Sequence, residues 1–175
     1  MAIFFIIAAV ILRLLPHLPN FAPIAALGLF GGTYLSRKYA LLVPLLAMLV
    51  SDYFIGFAPF WIMFSVYLSF FLIGVLGLWL KNHKKLSNII GASLFGSIIF
   101  FIMTNFAVWA ATPWYAKDLS GLTQCFLLAV PFFRNTILGD LFYVGAMFGL
   151  YELVLWVVRK RMSKLAVKIR SSELS

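Results

Sequence analysis

The chain has 175 residues, 64% of them hydrophobic and 11% charged, with a mean hydropathy of +1.05. That excludes an ordinary soluble domain and leaves one compact helical membrane bundle, with no length for a separate soluble domain. A formal net charge of +9 would raise nucleic-acid binding in a soluble protein; here it points to basic cytoplasmic loops, and nucleic acid is not expected as a partner.

Breakers and charges cut the chain into six apolar segments. The first is about Ala2 to Leu15, ended by "PHLPN". It lacks a basic n-region and a small-x-small cleavage site, so it reads as a retained first helix. The second runs from about Phe21 to Leu35 and ends at "SRK". Each is roughly 15 residues, or ~22 Å, shorter than a hydrocarbon core of ~30 Å. The third covers about Tyr39 to Phe57, and the fourth about Phe60 to Leu80, ended by "KNHKK". The fifth is about Leu86 to Ala111, followed by the polar stretch "TPWYAKDLSG". "GLTQCFLLAV" then suggests a short helix folded over the outer face, before a sixth segment from about Pro131 to Val158.

With the N-terminus inside, "SRK", "KNHKK" and the tail from about residue 159 share one side and hold eleven of the fourteen basic residues. The positive-inside rule then predicts six spans with both termini cytoplasmic, in a single transmembrane domain over residues 1–175. The tail "RKRMSKLAVKIRSS" reads as the last helix leaving the membrane to contact anionic lipid.

Charges inside a membrane chain are costly and mark function or pairing. "PFFRNTILGD" carries Arg134, Asn135 and Asp140. Measured back from Arg159, Arg134 reaches ~37 Å and Asp140 ~28 Å, which puts both at the outer end of the core. Helical phase separates them by ~120°, so they read as two arms of a cavity wall, with Thr136 and Tyr143 on the face of Asp140. The outer loops add Arg13, His17 and Asn20, then Asp52 and Tyr53, then Asn105 and Trp109. Together these residues suit an orienting site for a small ligand.

Several of them have plainer readings. Arg13 serves either as an ion-pair partner for Asp52 or Asp140 or as a ligand contact. His17 reads more readily as a loop residue than as a metal ligand, and Cys125 as a packing residue rather than a soft-metal thiolate. Ala22 with Ala26 and Gly28 with Gly32 form small-xxx-small pairs, suited to packing within the bundle or to docking a membrane partner. No HExxH, GxSxG, P-loop or paired-carboxylate pattern occurs, so neither an enzyme nor a cofactor or metal is expected.

The stretch "RLLPHLPNFAPIAALGLFGGTYLSRKYALLVPLLAMLVSDYF" resembles the substrate-binding S component of energy-coupling factor (ECF) vitamin transporters. "PHLPNFAPIAALGLFGG" with "PFFRNTILGD" resembles a group of uncharacterised bacterial membrane proteins related to them. The resemblance implies a six-helix bundle in the bacterial cytoplasmic (inner) membrane that captures a vitamin or related micronutrient at the outer face. It also implies a coupling subunit and two cytoplasmic ATPases as partners. Members dock through an Ala-x-x-x-Ala pattern on the first helix; this chain has only Ala8 and Ala9 there, which leaves a solitary transporter open. Two other functions remain. One is a membrane enzyme on a lipid or isoprenoid headgroup, with Arg134 holding phosphate and Asp140 or His17 as base. The other is a ligand-free scaffold using the small residues of the second segment.

Overall fold

The computed structural model describes residues 2–16 and 18–173, which are helical apart from short connections, with no strand among the described residues. The elements are α1 (Ala2–Leu14), α2 (Ile24–Tyr34), α3 (Arg37–Ile55), α4 (Phe60–Leu80), α5 (Leu86–Ala111) and α6 (Leu119–Glu173). The all-helical architecture with six helices is thus present. Four of them, α3 to α6, are long and apolar enough to cross a membrane.

α2 organises the bundle. It has 11 residues, and Ile24 through Thr33 are buried without a break. A helix that is apolar all round belongs in the middle of a core, and α2 packs against each of the other five. Its small residues explain how it gets so close to α4. A Cβ on Gly77 would lie 2.7 Å from the carbonyl oxygens of Gly28 and Leu29, so only glycine lets these backbones meet. Thr33 reaches across the same seam, its hydroxyl 3.3 Å from the Gly77 carbonyl oxygen.

The structure corrects the reading of the last segment. No separate outer helix precedes Pro131; α6 runs unbroken from Leu119 with Pro131 inside it. Proline removes one backbone donor, which membrane helices tolerate where neighbouring groups or local adjustment satisfy the freed carbonyl. The true start is signalled by Asp118, whose Oδ1 accepts the Gly121 N–H at 2.8 Å as an N-cap.

The basic ends gather at one pole. Lys84 Nζ lies 4.6 Å above the Tyr34 ring, and the Tyr34 hydroxyl donates to Glu152 Oε1 at 2.7 Å. The turns after α2 and α4 and the C-terminal part of α6 therefore share an end of the bundle. At the opposite pole lie the α1–α2, α3–α4 and α5–α6 connections.

Depth along α6 also differs from the count along the chain. Asp140 accepts a hydrogen bond from Ser97 at 2.6 Å. Ser97 is ~16 Å from the basic end of α5 at Leu86, whereas Asp140 is ~28 Å from Arg159. Arg159 therefore stands ~12 Å beyond the level of Leu86, and Asp140 sits near the middle of α5 rather than at the outer edge.

Candidate functional site

A cavity of about 450 Å³ runs into the bundle between α1, α2, α3, α4, α5 and α6. Leu14, Asn20 and Ile55 line its exposed end, while Met48, Thr136 and Asp140 line its buried end. The volume falls within the ~300–1,000 Å³ typical of small-molecule sites.

The rim is held by an ion-pair network. Arg13 Nη1 lies 2.7 Å from Asp52 Oδ1 and also donates to Ser51 Oγ at 2.5 Å and to the Met48 carbonyl at 3.3 Å. The other oxygen of Asp52 accepts from the Tyr67 hydroxyl at 2.8 Å. Three helices are tied at this point, and both carboxylate oxygens are engaged. Of the two sequence readings for Arg13, the ion pair with Asp52 is formed, and Arg13 also lines the cavity.

Asn20 supplies the mouth. It takes a left-handed backbone conformation with φ 64°, which asparagine tolerates better than most residues. The next residue, Phe21, packs on α6 where Gly139 leaves room. A Cβ there would come within 3.0 Å of the Phe21 Cα. Phe21 also meets the Tyr143 ring at 5.5 Å between centroids. The α1–α2 loop is thereby seated over the cavity.

At the far end Asp140 is buried at 4% exposure and Thr136 at 5%. Ser97 is the one hydrogen-bond donor to Asp140 among the described residues. One turn before it on α5, the buried Ser93 hydroxyl has no hydrogen-bond partner among the described residues. Phe70 and Phe100 face each other in the wall at 5.2 Å between centroids.

Other residues expected at the site lie elsewhere. Arg134 is exposed on α6 and does not line the cavity, because the rotation that buries Asp140 turns Arg134 outward. Asn135 is half-buried and also outside it. Tyr53 is 74% exposed, with its ring against that of neighbouring Phe54. Asn105 donates back to Phe101 of its own helix at 2.8 Å. The Trp109 indole N–H donates to the Ala116 carbonyl at 2.9 Å, and Lys117 Nζ donates to the Trp109 and Thr112 carbonyls, which closes the α5–α6 connection. His17 lies outside the described residues.

The small residues of the second segment offer no free docking stripe. Ala26 and Gly28 are buried, Gly32 packs on Gly77, and Ala22 lines the cavity. The alternative of packing within the bundle is the one realised, because α4 carries matching glycines at Gly74 and Gly77.

Sequence reasoning missed Ser51, Tyr67, Ser97, Phe70 and Phe100. Ser93-x-x-x-Ser97, with Gly96 between them, was the available signal for a polar seam on α5. Among the described residues, no three His, Cys, Asp or Glu side chains are placed to hold a metal ion.

No curated protein and no solved structure matches the chain. A protein-family profile does match, over residues 1–165, and the chain accordingly belongs to a family of unknown function (DUF6580).

Proposed function

We propose that this protein is a substrate-binding membrane subunit for uptake of a vitamin or related micronutrient. It lies in the bacterial cytoplasmic membrane with both termini inside and resembles the S component of ECF transporters. The observation that carries this reading is the cavity. It has the volume of a small-molecule site, it reaches from the pole opposite the basic loops to mid-bundle, and buried polar groups stand at its floor. A bundle built only for packing would close such a space, since protein interiors approach crystalline density.

That placement supports a role in uptake. With the basic pole cytoplasmic by the positive-inside rule, the mouth at Asn20 faces outward. Capture there is followed by release to the inside, driven by a separate coupling subunit and ATPases. Such a motor has to meet a helix other than α2, whose small residues are enclosed.

Native mass spectrometry of the protein extracted from its membrane tests the reading. One small molecule retained in stoichiometric amount is the expected result. A protein that arrives empty, and that no member of a vitamin panel stabilises against heat, is not a binding subunit.

A further inference from the structure

The geometry points to a cationic ligand: the cavity binds a small ring compound whose positive or N–H-bearing group seats on Asp140. This rests on the cavity being the ligand site, and it deepens that reading by naming the charge class.

Two charged side chains line the cavity among the described residues, Arg13 and Asp140. Arg13 is in contact with Asp52 at 2.7 Å and makes two further hydrogen bonds, so its positive charge is neutralised in place. Asp52 is in turn fully engaged by Arg13 and Tyr67. Asp140 has no such counter-ion. A single neutral hydroxyl, that of Ser97, meets its Oδ2, and no protein group bonds Oδ1 among the described residues. A chain with a net charge of +9 thus encloses a cavity with one unmatched acid.

A buried carboxyl in a membrane bundle either holds a proton or is matched by a positive group. Nearby Arg134 is exposed and absent from the cavity, so the chain's own basic residues do not fill that role. The ligand is then the natural counter-ion. Its ring would lie against Phe70 and Phe100, whose faces favour a cation as well as an apolar edge. An anionic ligand would meet an ionised Asp140 head-on, a like-charge contact with a large penalty at this depth.

The matched pyridines 1-methylnicotinamide, nicotinamide and nicotinate share one ring and differ in charge. Thermal stabilisation and equilibrium dialysis of the full-length purified protein with each compound, at fixed ionic strength, read the preference directly. We expect the cation to bind at least about tenfold more tightly than nicotinate, with nicotinamide between them. That ranking should collapse in Asp140→Asn, which keeps the shape of the side chain. The wild-type ranking does not depend on that variant folding.

Equal or tighter binding of nicotinate overturns the inference, as does an absence of binding by all three. Stabilisation by sodium chloride over choline chloride, with no organic cation bound, would assign Asp140 to an inorganic ion and overturn it as well. Native mass spectrometry separates this from the broader reading. A retained anion leaves a binding subunit but removes the cationic ligand; an empty, unresponsive protein removes both.

Discussion

Arg13 of α1 and Asp52 of α3 meet at 2.7 Å, with side chains 18% and 9% exposed, and Tyr67 of α4 closes on the same carboxylate. The pair fastens the shortest-reaching outer helix to the spanning bundle and fixes the cavity rim. Either Arg13→Met or Asp52→Leu alone leaves a partly buried charge without its partner and should destabilise by about 3 kcal/mol. The double variant should recover much of that loss. Thermal unfolding in detergent of the three variants reads the difference; a loss in the double variant equal to the sum of the two single losses would mean that the pair is idle.

Gly77 tests the α2–α4 seam. In Gly77→Ala the new methyl group meets two carbonyl oxygens at 2.7 Å, and backbone cannot yield as a flexible side chain can. A loss of about 3 kcal/mol is expected, against a change within about 0.5 kcal/mol for Gly91→Ala, which has open space around it. Unchanged melting of Gly77→Ala would show the helices to be further apart than described.

Arg134→Ala should leave both stability and ligand retention within error of wild type. Its side chain is exposed and outside the cavity, and surface replacements of this kind usually change stability by no more than about 0.5 kcal/mol. Loss of ligand in this variant would return Arg134 to the binding site and require a different arrangement of α6.

Topology is checked with cysteines. Cys125 is 2% exposed and can be replaced by alanine to give a background without thiols. In that background Lys117→Cys should react with a membrane-impermeant maleimide on intact cells, and Lys84→Cys only after permeabilisation. The reverse pattern would invert the bundle and place the cavity mouth inside.

What could be read from the sequence divides along physical lines. The rotation separating Arg134 from Asp140 is a local property of any α-helix, and the two side chains do point apart, one exposed and one buried. Their depth was not legible, because it depends on how far α6 projects past α5, a relation between elements distant in sequence. The small residues of α2 were visible as spaced pairs. Their destination was not, since Gly74 and Gly77 lie more than 40 residues on. Ser97 escaped notice because a helical serine ordinarily bonds its own backbone, and only the arrival of Asp140 gives it another partner. Trp109 and Asn105 looked like site residues by composition, yet each bonds within α5 or the turn after it.

The enclosure of α2 bears on how the molecule is assembled in the membrane. An 11-residue helix spans only ~16 Å and cannot hold itself across a bilayer on hydrophobic length. Its place is made by its neighbours, so it settles only after α3, α4, α5 and α6 are inserted and begin to associate. Biogenesis therefore ends with a wedge being driven home, and a lesion in α2 should yield a chain that is delivered to the membrane in normal amounts but never matures.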